Sequence, residues 1–234
     1  MIKGIFIAGR GLDARMKNLE SVANNLANLN TIGFKREVPF SEILNQAGDV
    51  KVIQNTDYRQ GNLIQTSSPL DLAIYGSGFF VVKTNSGEEL TRDGRMQISS
   101  DGFLVDGQGN KVLGKQGAIN INSFMLDNNQ TITVDKNGQV KVGDHIVDTL
   151  LIAQPFDSQD IQRASGGNLT TPGGAKIVDQ SGYEIKQGYL EESNVNPLKE
   201  MEAMINLSTQ YQSTQKVVNT LDQSLNEANQ IGKV

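Results

Sequence analysis

Both ends of the chain carry apolar residues at alternating spacings of three and four, and this pattern limits the fold more than any other feature. Such spacing places side chains on one helix face, and its repetition over several turns is typical of helices that pair. The N-terminal stripe consists of Ile5, Gly9, Leu12, Met16, Leu19, Ala23 and Leu26. The C-terminal stripe consists of Met204, Leu207, Tyr211, Thr214, Val218, Leu221, Leu225 and Ala228. We therefore predict one long helix at each end.

The predicted helices have recognisable ends. Gly33 is a suitable stop for the first, and Asn196 can cap a second helix whose first residue is Pro197. A helix from Pro197 to Gln230 would be about 50 Å long, more than a compact small domain usually needs. An ordinary helix packed on a β core is the alternative, but the length and the matching N-terminal stripe favour association.

Charge favours pairing of the two ends. Residues 1–36 contain six Lys or Arg against two Asp or Glu, whereas residues 190–234 contain three against six. Exposed ion pairs contribute only about 0–1 kcal/mol each, so charge would set orientation while the apolar stripes supply most of the energy.

The middle of the chain has a different composition, with 19 of the 24 glycines between residues 36 and 189. Strand-like runs at 72–75 and 79–82 flank Gly76-Ser77-Gly78, and alternating runs at 131–134 and 139–142 flank Asn137-Gly138, a strong hairpin signal. Residues 155–182 resemble long loops. We predict an α+β fold, with paired, coiled-coil-like terminal helices flanking a central antiparallel β domain. The helical domain would comprise 1–35 with 190–234, and the β-rich domain 36–189, with a connecting segment near 36–60.

Little in the composition favours catalysis or cofactor binding. The chain has no Cys, a single His and a net charge of −5, which removes thiolate sites and multi-His metal sites and disfavours nucleic-acid binding. His145 is most simply an ordinary strand residue, and Asp135 to Gly138 indicates a hairpin better than a calcium loop. No apolar run approaches the length of a membrane span, about 18 residues. We expect no catalytic, metal or cofactor-binding residue and no transmembrane segment.

Three stretches carry a specific resemblance. Residues 23–35 contain Ala-Asn-Asn-Leu-Ala-Asn before Gly-Phe-Lys, residues 70–82 and 91–105 contain Gly-Ser-Gly-Phe-Phe and Thr-Arg-Asp-Gly, and residues 188–196 contain Ser-Asn-Val-Asn. Together they resemble the bacterial flagellar rod and hook proteins, in the family's order. The residues that carry the terminal motifs are Asn24, Asn25, Leu26, Ala27, Asn28, Gly33, Phe34, Ser193, Asn194, Val195 and Asn196.

The resemblance implies a structural protein of the basal-body rod, which spans the periplasm, and not an enzyme. Its terminal helices would form the inner layer of a tubular assembly, with the β domain outside. Its partners would be copies of itself, other rod proteins, and the flagellar type III export apparatus with its chaperones, and it would leave the cytosol without a cleaved signal peptide. The expected assembly residues are Ile5, Leu12, Met16, Leu19, Ala23, Leu26, Met204, Leu207, Tyr211, Val218, Leu221 and Leu225.

Within the family, the segments near 111–121 and the Asn137-Gly138 hairpin favour a proximal over a distal rod protein. The alternatives from other classes are a cell-wall hydrolase and a secreted adhesin with a coiled-coil stalk. Two further expectations concern the ends of the chain. Both ends, 1 to about 35 and about 190 to 234, would be unordered before assembly, and Asn24, Asn25 and Asn28 would bond neighbouring backbone instead of facing solvent.

Overall fold

A computed structural model describes residues 2–44, 49–122, 131–156 and 161–231. One α-helix stands at each end of this part of the chain, α1 over Ile2–Ala27 and α2 over Pro197–Ile231. Between them lie nineteen strands: β1 Glu37–Leu44, β2 Asp49–Thr56, β3 Leu63–Gln65, β4 Leu72–Gly76, β5 Phe79–Thr84, β6 Gly87–Thr91, β7 Gln97–Ile98, β8 Leu104–Val105, β9 Lys111–Gly114, β10 Gly117–Ala118, β11 Ile132–Val134, β12 Gln139–Val142, β13 His145–Thr149, β14 Ile152–Pro155, β15 Gln162–Arg163, β16 Leu169–Thr170, β17 Ala175–Ile177, β18 Tyr183–Gln187 and β19 Tyr189–Glu191.

The predicted fold class, α+β with a coiled-coil-like helix pair, is wrong. The described chain is mainly β, with its strands in five antiparallel sheets and only a single helix at each end. The heptad stripe of α1 is also not the line that is buried, because the buried side chains Ser21, Val22 and Asn25 lie beside that stripe and two of them are polar. A polar buried line of this kind is not the apolar seam of a coiled coil.

The chain divides into two compact units. Unit 1 consists of residues 1–29, 36–57 and 195–234, and unit 2 consists of residues 30–35 and 58–194. In unit 1, α1 and α2 run antiparallel, since Arg15 contacts Gln210 and Thr214 whereas Asn25 contacts Glu200. Strands β1 and β2 form a hairpin in the same unit, paired from Glu37 with Thr56 to Leu44 with Asp49. The predicted division into an inner helical and an outer β domain concerns an assembly and stays a prediction.

Unit 2 is built on one ten-stranded antiparallel sheet. Its main path runs β15-β16-β6-β5-β9-β8-β7, with β10 beside β9, and β14 joining β5 to β17. A three-stranded sheet, β11-β12-β13, and the pairs β18-β4 and β19-β3 complete the unit. Apolar side chains from several strands fill its main core, among them Leu72, Ile74, Phe80, Val112, Val140 and Ile152.

The turns of unit 2 follow from local chemistry. Asp135 accepts backbone N–H bonds from Asn137 and Gln139 at 3.0 and 2.9 Å, and Gly138 has φ +80°, which confirms the predicted hairpin. Gly76 and Gly78 both have φ +109°, so Gly-Ser-Gly is a turn between strands, as predicted. The prediction of long loops over 155–182 is partly wrong, because β15, β16 and β17 lie there and extend the large sheet.

Candidate functional site

The predicted stripe on α2 forms a half-buried line along the helix. Met204, Leu207, Tyr211, Val218 and Leu221 are all half-buried. On α1 the predicted stripe is mixed: Leu12, Leu19 and Leu26 are half-buried, whereas Met16 and Ala23 are exposed. The side chains of Ile5 and Leu225 lie outside the described set.

Both helices expose large apolar side chains that are not among the predicted assembly residues. Phe6 and Ile7 on α1 are 63% and 60% exposed, and Leu198, Ile205 and Val217 on α2 are 73%, 66% and 55% exposed. Large apolar side chains exposed on neighbouring turns are a usual mark of a surface that another protein covers. The sequence alone does not show that these side chains face outward, because that depends on how each helix is rotated against its neighbours.

A cluster of polar side chains joins α1, β1 and α2 in unit 1. This helix-base cluster consists of Asn24, Asn25, Arg36, Glu37 and Glu200. The side chain of Asn25 donates to the Glu37 carbonyl at 2.8 Å and to Glu200 Oε2 at 3.1 Å, and its Oδ1 accepts the Glu37 N–H at 2.8 Å. The Asn24 amide donates to Glu37 Oε1 at 2.8 Å, and Arg36 pairs with Glu200 Oε1. The cluster therefore satisfies an asparagine and two carboxylates that are buried.

The Asn-rich motif therefore bonds within its own chain. Asn25 satisfies both polar groups of the Glu37 backbone, and Asn28 donates to the Asn24 carbonyl at 2.9 Å and to its Oδ1 at 3.0 Å. The expectation of backbone bonding is confirmed for Asn25 and Asn28, while Asn24 bonds the Glu37 side chain instead. Ala27, from the same motif, is exposed.

The start of α2 is fixed by its own cap. Asn196 Oδ1 accepts the N–H of Lys199 at 3.1 Å, and Pro197 is the first helical residue, as predicted. Glu200 lies in the same first turn and is fully buried. The sequence analysis assigned no role to Glu200, which belongs to the C-terminal stretch of the family resemblance, although an acidic residue in the first turn of a predicted helix was a visible signal.

A second buried cluster, the strap cluster, lies in unit 2 and consists of Lys35, Arg92 and Glu191. Glu191 accepts from Lys35 Nζ at 2.6 Å, from Arg92 Nη1 at 2.9 Å and from the Gly61 N–H at 2.9 Å. The three charged side chains are at most 4% exposed. Burial lowers the pKa of the Arg92 guanidinium, and the Glu191 carboxylate acts in the opposite direction.

The Gly-Phe-Lys motif is held at this cluster. The N–H of Gly33 donates to the Glu191 carbonyl at 2.7 Å, and Gly33 has φ +70°. A Cβ at Gly33 would lie 2.5 Å from the backbone carbon of Arg92, so both the conformation and the space require glycine. Phe34 is buried under the guanidinium of Arg163, 4.5 Å from the ring centre.

The C-terminal motif contributes contacts in both units. In unit 2, Ser193 is half-buried, and the Asn194 side chain donates to the Arg59 carbonyl at 2.9 Å. Val195 is buried in unit 1, where the described part of the chain has only one other buried apolar side chain, that of Val22.

The described residues contain little that resembles a chemical site. His145 is exposed at the start of β13, and the Asp135 carboxylate serves the turn that it caps. Within the described ranges, no three His, Asp or Glu side chains are grouped closely enough to hold a metal ion. No described helix is long and apolar enough to cross a membrane.

Three family models match the chain in succession. "Flagella basal body rod protein" matches residues 5–35, "Flagellar hook protein FlgE/F/G D1 domain" matches 73–142, and "Flagellar basal body rod FlgEFG protein C-terminal" matches 186–231. The basal-body rod protein FlgF of Caulobacter vibrioides is 34% identical over 244 residues, which cover 96% of this chain and 97% of the relative. This chain belongs to the flagellar basal-body rod protein family.

Other relatives carry the same family name. FlgG of Agrobacterium fabrum is 33% identical over 260 residues, covering 95% of this chain and 96% of the relative, and FlgG of Bacillus subtilis is 27% identical over 262 residues, covering 97% and 98%. This rod protein is a structural subunit of the bacterial flagellar basal-body rod. The matches favour neither of the alternatives from other classes, the wall hydrolase and the adhesin.

Proposed function

We propose that this rod protein joins its neighbours through the terminal helices α1 and α2, in the proximal part of the rod. The observation that carries this proposal is the set of large apolar side chains that both helices expose, with Phe6, Leu198 and Ile205 each more than 60% exposed. In a tubular assembly these side chains would be covered by adjacent subunits, and the buried apolar area would drive association.

The charge of the two ends supports the same arrangement. Residues 1–36 carry a net charge of +4 and residues 190–234 a net charge of −3, so an N-terminal segment of one subunit is complementary to a C-terminal segment of another. Complementary charge orients partners more than it tightens them. Rod subunits would therefore stack in one direction.

Placement in the proximal rod is supported by the lengths of the alignments. Alignments with FlgF relatives extend over 244, 238 and 237 residues, whereas those with FlgG relatives extend over 260 to 270. Since this chain has 234 residues, it needs fewer gaps to align with FlgF. The resemblance of the central segments also predicts the proximal member, and the two arguments agree.

A map of isolated basal bodies, with this chain tagged, would test the placement. We expect the tag at the cell-proximal end of the rod, and a tag at the distal end would contradict it.

Substitutions on the exposed helix face test assembly. Ile205→Asp should abolish incorporation into basal bodies, because it places a charge where a neighbour would bury an apolar side chain, at several kcal/mol in every subunit. Gln215→Asp, at an exposed polar position about 80° around the same helix from Ile205, is the matched control and should assemble. Leu26→Asp and Leu221→Asp, in the predicted stripes, should also prevent assembly and motility. Normal incorporation of Ile205→Asp would refute assembly through this face.

Export is the remaining part of the proposal. We infer that the type III export apparatus and its chaperones recognise the unfolded N-terminal segment, including the apolar patch Ile5-Phe6-Ile7. Deletion of residues 2–8 should leave the subunit in the cytosol, as measured by fractionation. The Asn25→Ala, Asn28→Ala pair should be exported but incorporate poorly, and export of the deletion variant at the parental level would refute the proposed role of this patch.

A further inference from the structure

The buried side chains of unit 1 are concentrated at one end of the helix pair. Among the unit 1 side chains that the structure describes, those that are buried are Ser21, Val22, Asn25, Glu37, Val195 and Glu200. Every described α1 side chain from residue 4 to residue 20 is half-buried or exposed, and so is every described α2 side chain after residue 200. The packing that could keep these helices ordered is therefore at their base.

The contacts at the base are polar and link distant parts of the chain. Asn25 bonds Glu37, twelve residues away, and Glu200, 175 residues away, while Arg36 pairs with the same Glu200 carboxylate. Glu200 is 0% exposed, so loss of either partner leaves a buried carboxylate poorly satisfied. The segments that contain Asn25, Glu37 and Glu200 therefore depend on one another to remain buried.

Support for the far ends of the helices is weaker: Arg15 bonds Gln210 and Thr214 there, but none of the described side chains around this contact is buried. Around Phe6 and Ile7 on α1, and around Val217 on α2, the apolar side chains face outward. Isolated helices are only marginally stable in water, and regions with few buried contacts open at low cost. A helix in this state needs a neighbour to order it.

We propose that Asn25 and Glu200 are positioning residues that keep the base of the helix pair folded in a subunit without neighbours. The far ends of α1, before about residue 20, and of α2, after about residue 206, order only when neighbouring subunits cover them. The free subunit then presents a short preformed stub on which the rest of both helices is built. This replaces the expectation that both ends are unordered over their whole length, and it rests on the proposed assembly through these helices.

Amide hydrogen exchange of the free, full-length subunit tests the inference. Backbone amides within 21–29 and 200–206 should exchange at least about tenfold more slowly than those within 8–16 and 215–224. Asn25→Leu should accelerate exchange at the base about tenfold, because buried partners lose their hydrogen bonds, and leave unit 2 unchanged. Asn206→Leu, at an exposed position of α2, is the control and should change exchange less than about twofold.

A second variant guards against a folding defect. Glu200→Gln keeps the shape of the side chain but removes its charge, and it should also accelerate exchange at the base. In the double variant Asn25→Leu, Glu200→Gln, the acceleration should fall short of the product of the two single effects by about fivefold, since contacting residues couple. If the two residues had independent structural roles, the acceleration in the double variant would equal the product of the two single effects. Uniform exchange along both helices of the parent, unchanged exchange at the base in both single variants, or effects that simply multiply would each overturn the proposal.

The outcome is separable from that of the proposed function. Assembly is measured by incorporation of Ile205→Asp into basal bodies, whereas the stub is measured in the free subunit. A protected base together with normal incorporation of Ile205→Asp would refute assembly through the exposed face and leave the stub without its assembly role. If Ile205→Asp fails to incorporate but the base of the free parent subunit is not protected from exchange, only the preformed stub is refuted.

Discussion

Loss of the Glu191 carboxylate should strongly destabilise unit 2. This carboxylate is the shared partner of Lys35 and Arg92, and all three side chains are buried. Glu191→Ala removes the carboxylate that the two buried cations share and that accepts the N–H of Gly61. Removing one partner of a buried ion pair costs about 3–5 kcal/mol. Backbone carbonyls of Arg59, Ile74 and Gly76 still accept from the two cations, so we expect the middle of that range.

Urea unfolding followed by far-UV circular dichroism is a suitable assay, because the chain contains no Trp. A loss of about 4 kcal/mol is a large part of the 5–15 kcal/mol that stabilises a typical domain. Glu88→Ala, at an exposed position of β6, is the matched control and should cost less than about 0.5 kcal/mol. The triple variant Lys35→Met, Arg92→Met, Glu191→Leu should recover about 2 kcal/mol relative to Glu191→Ala, since apolar replacement of a whole buried ionic group is often tolerated. Equal stabilities of Glu191→Ala and Glu88→Ala would refute the reasoning.

Three further changes have defined outcomes. Gly94→Ala should destabilise unit 2 by about 3 kcal/mol or more in urea unfolding, because its Cβ would lie 1.6 Å from the Leu72 carbonyl oxygen; a near-neutral effect would contradict the tight approach. In the assembled rod, where α1 is ordered, Asn18→Leu should slow exchange along α1 about fivefold, because it removes a buried Oδ1 that has no hydrogen-bond partner; unchanged exchange would contradict this. Burial raises the pKa of the Tyr183 phenol, so the folded state loses stability as pH rises from the unfolded pKa, about 10, through the folded value. Tyr183→Phe should therefore reduce the loss of stability above pH 10, and an unchanged alkaline transition would argue against it.

Elements that depend on local chemistry were predictable from the sequence. The cap at Asn196, the turn at Gly76 to Gly78 and the hairpin at Asn137-Gly138 each depend on residues within a few positions of one another. The helix-base and strap clusters were not predictable in this way, because Asn25 and Glu200 are 175 residues apart and Lys35 and Glu191 are 156 apart. A charged residue inside a motif suggests that it has a bonding partner, but the periodicity of the sequence does not identify that partner when it lies far away in the chain.

The face of α1 that is buried in the subunit differs from the predicted apolar stripe, and this difference has a physical cause. The apolar spacing selects the face that contains Leu19, Ala23 and Leu26, but the buried residues include Ser21 and Asn25. A buried asparagine is tolerated because both polar groups of the Glu37 backbone and a Glu200 oxygen satisfy its amide. Rotation of the helix to bury Leu26 fully would break those bonds and leave Glu37 and Glu200 without an essential partner. The polar cluster therefore outweighs the apolar stripe in setting how α1 lies in its own subunit. The described side chains of the stripe are therefore half-buried or exposed. They remain accessible to neighbouring subunits, as association through this surface requires.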